Sequence, residues 1–380
     1  MSDIYLDNNA TTEPLPTVKE AVINTFKVFG NPSSPHAAGI KARKLIEEAR
    51  AHVADMIKAE PHEIVFTSGG TESIVTSFKS ALQRHDKQRR SVIVSSVEHT
   101  AVMETAAEYK NHGYSIDYVP VDYKGQISME ALEERLKENP NAFVSIMYAN
   151  NETGVIFPVE EISNLAKKYN AVLHIDAVQA AGKLPVDIKK IQCDYLSLSA
   201  HKFHGLKGTG ALYVNRKAHI NPFLSGHQES KRRGGTENVP GIVAMGVAAK
   251  EVHNNIDKDM QHMKTLRDRL QNKLLNDIKG SVVNGDPQQR ICNTLNLQVP
   301  YKDAAMLVEA LSHKGVYVST GAACTTGGEP SHVLAAMGLE ESEVNRSLRI
   351  STSRLTNVSD IEQALEIMIE TERNSINVYN

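Results

Sequence analysis

Seven short apolar runs recur through residues 63–214: EIVFT (63–67), SVIVSS (91–96), SIDYVPV (115–121), AFVSIMYA (142–149), AVLHID (171–176), CDYLSLS (193–199) and GALYV (210–214). Between many of them the apolar residues switch to helical spacing, as in MEALEERLKE (129–138) and VEEISNLAKKYN (159–170). Neighbouring parallel strands need a long crossover connection, and a helix is the usual one. The alternation therefore predicts an α/β chain with a mainly parallel sheet covered by helices. Ligands of such sheets bind beyond the carboxyl ends of the strands, so the residues that follow each run matter most.

After about residue 250 the rhythm changes to a long charged helical pattern, KDMQHMKTLRDRLQNKLLNDI (258–278), then a strand, RICNTLNLQV (290–299), and a second αβ set. A chain of 380 residues is long for one core. We expect a large domain over 15–250 and a smaller α+β one built from 1–14 and 251–380. The net charge of −3 argues against a general nucleic-acid binder. The N-terminus MSDIYLDNNATT lacks a basic-then-apolar leader, and no apolar run reaches membrane-spanning length, so a cytoplasmic protein is expected. Cys193, Cys292 and Cys324 lie far apart, in no spacing typical of a disulfide framework or a zinc site.

The first strand runs into SGGTESIV (68–75). Its glycine turn opens a helix, and the amides around Gly70 with the Ser68 and Thr71 hydroxyls could cradle a phosphate. His99 follows the second strand, and Asn150 and Asn151 follow the fourth. The fifth ends on Asp176, with Gln179 three residues on. A carboxylate at the end of a buried strand is costly unless it meets a cation, and a protonated ring nitrogen is one. Lys202, in SLSAHKFHG (197–205), follows the next strand. Taken singly, each feature has an ordinary explanation as a cap, a packed histidine or a surface lysine. Together they are the parts that pyridoxal phosphate requires: an anion cradle, a partner for the ring nitrogen and an amine for the aldehyde. A metal site on His174, His201 and His204 lacks the cysteine or carboxylates to complete it.

These segments resemble the cysteine desulfurase family, the NifS/IscS-like branch of fold type I (class V aminotransferase) pyridoxal phosphate enzymes. The resemblance extends in order through YLDNNATT (5–12), GNPSSPHAAG (30–39), FTSGGTES (66–73), VEHTAV (97–102), NNETGV (150–155), HIDAVQ (174–179), SLSAHKFHG, GGTENVPGI (234–242), GAACTT (321–326), EPSHVL (329–334) and SLRIS (347–351). It implies a homodimer whose large domain holds a seven-stranded sheet. Lys202 would bind the cofactor aldehyde, Asp176 the ring nitrogen and Gln179 the ring hydroxyl. His99 would stack on the ring and carry protons. Gly70, Thr71, Ser199 and His201 would hold the phosphate, helped by Thr236 reaching over from the second subunit. Asn151 and Arg349 would fix the substrate carboxylate. Two departures stand out: Val75 occupies a region where the family commonly carries Asn, and CTTGGEPSH (324–332) is one residue shorter between Cys and Pro.

The same resemblance gives Cys324 the role of a nucleophilic thiolate, in a segment of small residues. Cys193 and Cys292, within apolar strand patterns, read as buried hydrophobes. The implied reaction converts L-cysteine to L-alanine and leaves a persulfide on Cys324, whose outer sulfur passes to an acceptor protein. Iron–sulfur cluster assembly, tRNA thiolation and sulfur modification of DNA all begin with such a persulfide. The alternatives are a selenocysteine lyase or a related lyase or aminotransferase on the same fold, which would not need Cys324, and a non-catalytic scaffold.

Overall fold

The computed structural model describes residues 3–83, 90–300, 303–320 and 330–376. All seven apolar runs form strands of a single sheet: β2 (Ile64–Thr67), β3 (Ser91–Ser95), β4 (Ser115–Val119), β5 (Phe143–Met147), β6 (Val172–Asp176), β7 (Tyr195–Ser199) and β8 (Gly210–Val214). Their spatial order is β2-β8-β7-β6-β5-β3-β4. Strands β3 to β7 run parallel, while β8 is antiparallel to both of its neighbours. The reason lies in the connection. No crossover helix joins β7 to β8, only a short return through the 3-10 turn Ala200–Lys202, so β8 must come back beside β7. Lys202 sits in that return.

A second sheet is antiparallel and small, in the order β12-β10-β9, from β9 (Val282–Asn284), β10 (Thr294–Gln298) and β12 (Ser347–Ser351). The chain start, β1 (Ile4–Tyr5), pairs in parallel with β11 (Val316–Tyr317). Ile4 and Leu6 accordingly bury in the same hydrophobic cluster as Leu295, Leu297, Leu348 and Ile350, separate from the cluster on the face of the large sheet that carries Ile93, Ile146 and Ile175.

One helix, Val239–Asp277, serves both clusters. Met245, Ala248 and Val252 pack into the large one, and Leu266, Leu270 and Leu274 into the small one. It begins before the charged pattern at 258–278, because Pro240 and the Asn238 side chain, which accepts from the Gly241 amide at 3.2 Å, set its first turn. It crosses the helix Ala37–Ile57 so closely that a Cβ on Gly246 would lie 2.5 Å from the Ala49 Cα. No helix among the described residues is long and apolar enough to cross a membrane.

Candidate active site

A cavity of about 230 Å³ opens at the carboxyl ends of the parallel strands. Its lining includes Gly70, Thr71, His99, Asn151, Asp176, Gln179, Ser199, His201 and Lys202. Nine side chains or backbone positions singled out from the sequence thus meet in one place. The register explains much of this, since Asp176 pairs with Met147 on β5 and Ser197 on β7, so the ends of adjacent strands lie level.

Gly70 starts the helix Gly70–Leu82, leaving its first-turn amides without intrahelical partners. A Cβ there would meet the Val178 methyl at 2.8 Å, so the approach of the helix to the turn after Asp176 requires glycine. The Ser68 amide donates to Glu72 at 2.8 Å, and Arg233 neutralises that carboxylate through contacts of 2.9 and 3.2 Å. Burial would raise the Glu72 carboxyl, but Arg233 and Ser68 hold it below the usual range. A second anion can therefore approach this helix start without meeting an uncompensated negative charge.

Asp176 is buried, accepts from the Val178 amide at 2.9 Å and forms no ion pair among the described residues. Burial pushes its carboxyl up to about 6, against the opposing effects of the Val178 amide and Lys202. Lys202 donates to the Asn9 carbonyl at 2.6 Å and the Ala10 carbonyl at 3.0 Å. His99 caps the helix Thr100–Asn111, its Nδ1 accepting from the Ala101 amide at 3.0 Å. Burial, then Lys202 and His332, push it down to about 4, so the ring is neutral with its proton on Nε2. His201 is likewise lowered to about 4, by burial and the lysines around it, and contacts the Thr11 hydroxyl at 3.1 Å.

Among the described residues the Asn151 amide oxygen is buried without a hydrogen-bond partner. A half turn of the amide exchanges it for the Nδ2 donor, so it can offer a ligand either end. Gln179 donates to the Asn9 carbonyl at 2.9 Å and accepts from Lys183 at 3.4 Å. Arg349 does not line the cavity. It donates to the Asn151 carbonyl at 3.1 Å and to Asp7 at 2.7 Å, directly behind it. Thr236 is exposed and outside the lining. Cys324 lies outside the described residues. Cys193 and Cys292 are buried, and burial raises both thiols, Cys292 to about 11, so both stay protonated. His174 is locked between the Ser145 and Ser197 hydroxyls, each at 2.8 Å, and His204 against the Glu13 carbonyl at 2.7 Å.

Three functional neighbours escaped the sequence reading. Asn9 is a hub whose carbonyl takes both Lys202 and Gln179, while its side chain donates to the Asn151 carbonyl at 3.1 Å and the Thr294 hydroxyl at 2.8 Å. Glu98, fully buried, accepts from the Ser95 hydroxyl at 2.5 Å and the Met147 amide at 3.0 Å, and burial pushes it up to about 8. Lys183, buried behind Lys202, donates to its carbonyl at 3.2 Å and is lowered to about 7 by burial and by Lys202. Asn9 and Glu98 lie within the motifs YLDNNATT and VEHTAV, which gave them no role of their own.

The residues fit pyridoxal phosphate. Buried Asp176 calls for a cation, the helix start for an anion, Asn151 for a hydrogen-bonding group, and Lys202 supplies the amine. A seven-stranded, mostly parallel sheet with this strand-end site defines a fold type I transferase. The family profile described as Aminotransferase class-V matches residues 4–364. "Cysteine desulfurase 2" of Trichormus variabilis is 44% identical over 371 residues, covering 97% of this chain and 92% of the relative. A solved NifS-like protein superposes with a TM-score of 0.91 at 37% identity, covering 97% of this chain and 98% of that one. A structure titled SspA in complex with cysteine superposes with a TM-score of 0.80 at 32% identity, covering 93% and 99%. The chain belongs to the class-V aminotransferase family and, within it, to the cysteine desulfurases.

Proposed function

We propose that the protein converts L-cysteine to L-alanine with pyridoxal phosphate held in the strand-end cavity, and that Cys324 takes the sulfur as a persulfide for an acceptor protein. The observation that carries the reading is the meeting of Lys202 and uncompensated, buried Asp176 at one cavity in a chain of this family. Residues 15–250 would form the cofactor-holding domain, and 1–14 with 251–380 the smaller one bearing Cys324. The names of the relatives favour this activity over a selenocysteine lyase.

When bound, the cofactor supplies an electron sink for the carbanion at the substrate Cα. Gly70 and Thr71 at the helix start, with Ser199 and His201, bind its phosphate, and Asp176 holds the proton on its ring nitrogen. Gln179 would hydrogen-bond the ring hydroxyl, and neutral His99, whose Nδ1 is taken by the Ala101 amide, would stack on the ring with its Nε2 proton available. Lys202 binds the cofactor aldehyde and, when freed, removes the Cα proton at Nζ. Arg349 leaves Asp7 to take the substrate carboxylate with its planar fork, beside the Asn151 amide. Cys324 thiolate then attacks the substrate sulfur, the C–S bond breaks and its electron pair is protonated at Cβ. Cysteine and one enzyme thiol thus become alanine and one enzyme persulfide, with no outside oxidant or reductant until the sulfur is passed on. Thr236, exposed on its loop, would complete the phosphate site of a second subunit.

The test is alanine release from L-cysteine with a thiol reductant, together with intact-mass detection of one added sulfur on the protein. Cys324→Ser should retain cofactor yet form almost no alanine and no added-sulfur species. Wild-type alanine formation by that variant would refute the persulfide step. Borohydride reduction followed by peptide mass spectrometry should place the cofactor on Lys202, and label on another lysine would refute that assignment.

A further inference from the structure

A groove of about 760 Å³ lies away from the active site, between the C-terminal half of the helix Val239–Asp277 and residues 287–292, with Ile156 and Leu184 of the large layer at its wall. Two buried arginines stand side by side in it. Arg267 is satisfied: it donates to the Ile291 carbonyl at 2.9 Å and to Asp268 at 2.9 and 2.6 Å. Arg290 is not. Its Nη2 donates to Gln271, but among the described residues its Nε and Nη1 are buried without a hydrogen-bond partner and it forms no ion pair.

The poor satisfaction of Arg290 is not the result of a loose backbone. The Ile156 amide donates to the Gln289 carbonyl at 2.9 Å, the Ile291 amide donates to the Gly154 carbonyl at 2.8 Å, and Arg290 bridges to Val155 between them. Its side chain is therefore held at the groove by main-chain bonds to the large layer. A buried guanidinium with two unmet donors is costly, and here burial and the neighbouring Arg267 push Arg290 down to about 10 despite Asp268 and Asp286. Asp257 and Asp268 also line the groove, but Asp268 is already taken by Arg267, and Lys264 adds a third cation.

We propose that this groove is a binding site for a small oxyanion, the phosphate or carboxylate group of a metabolite, which pairs with the Arg290 fork beside Arg267 and Lys264. Turning the guanidinium into the groove breaks only the Gln271 contact among those of the described residues, and it gains a charge-assisted, bidentate pair. An anion seated there would fasten the long helix to residues 287–292 and so to the large layer.

The experiment is thermal unfolding of the cofactor-loaded enzyme, whose own phosphate site is then filled, in sodium phosphate, sodium malonate or sodium chloride of equal ionic strength. The wild type should gain in Tm with phosphate or malonate over chloride, and whichever anion acts identifies the chemistry. Arg290→Met should be no less stable than wild type in chloride, because an unpaired buried charge has been removed, and should lose the gain, its anion affinity weakened about tenfold or more. Lys264→Gln, at the groove wall, should keep the wild-type Tm in chloride and weaken the response. Equal anion responses in wild type and Arg290→Met would overturn the proposal. So would no response in the wild type, or an equal loss of Tm by Arg290→Met in every buffer, which would make Arg290 purely structural. Should Arg290→Met fail to fold, an unchanged response in Lys264→Gln overturns it and a weakened one supports it.

Discussion

Asp176 and Arg349 are both almost entirely buried charged side chains on strands, one in the large sheet and one in the small. The chain treats them oppositely. Arg349 is engaged from within, by Asp7 at 2.7 Å and the Asn151 carbonyl at 3.1 Å. Asp176 has a backbone amide and the charge of Lys202 in the same cavity lining, and its carboxyl is raised to about 6. A buried charge left short of a counter-ion is poised for one that arrives with a ligand, whereas a buried charge already paired must exchange partners. The first arrangement suits a resident cofactor, held throughout. The second suits a substrate that must bind and leave at every turnover.

The largest effect expected from this contrast is at Lys202, the cation nearest to Asp176 in function. Lys202→Ala should keep the fold and lower turnover by about a thousandfold or more, since one amine both binds the cofactor and moves the Cα proton. Circular dichroism and alanine assays together check this, and substantial residual turnover would place the base elsewhere. Next comes Arg349→Ala, which should retain cofactor, as judged by visible absorbance, while kcat/KM for L-cysteine falls by roughly 2–5 kcal/mol of transition-state stabilisation, mostly through KM. Unchanged kinetics would mean that the carboxylate is held by another group and that the Arg349–Asp7 pair is purely architectural.

A smaller effect concerns the cofactor-free protein. The Asp176 carboxyl is raised from 3.8 to about 6 on folding, so the folded state binds more protons between those values. Its contribution is therefore lost as pH rises from about 4 to about 6, by up to ~3 kcal/mol relative to a neutral residue. Urea unfolding of cofactor-free wild type and Asp176→Asn across that range should show the asparagine variant gaining on wild type as pH rises. With cofactor bound, the advantage should vanish or reverse. Parallel pH profiles would show that Asp176 is not uncompensated. The smallest effect is at Asp7, where Asp7→Asn removes the charge that competes with substrate for Arg349. KM for cysteine should fall by less than about tenfold with kcat unchanged, because Asp7, with 17% of its side chain exposed, is partly screened by solvent even though Arg349 is buried. A raised KM would mean that Asp7 orients the guanidinium.

Most of the seven strands were legible because they are short, largely apolar runs, which burial on both faces of a central sheet demands, whereas the edge strand β4 is exposed or half-buried over Ser115–Tyr118. Asp176 and Lys202 were legible for the same reason: a charge stands out at the end of such a run. The antiparallel return of β8 was not, since apolar runs carry no direction and only the missing crossover reveals it. The start of the helix Val239–Asp277 was also hidden, because its first turns are buried and lack the polar face that marks helical periodicity.

By itself the sequence determined which residue types stand at the strand ends, and with them the chemistry the chain can host. Local pattern suffices there, because strand burial and the carboxyl-end rule act within one element and its neighbours. Tertiary structure alone decided that Asn9, from the chain start, holds Lys202 and Gln179, that Arg349 stands behind Asn151 rather than in the cavity, and that Arg290 lies buried beside Arg267. These contacts join residues far apart in the chain, between a sheet that pairs β1 with β11 and two cores threaded by one helix. Such pairings depend on how separate layers pack and on which buried polar groups find partners, and neither quantity is encoded in any single stretch of sequence.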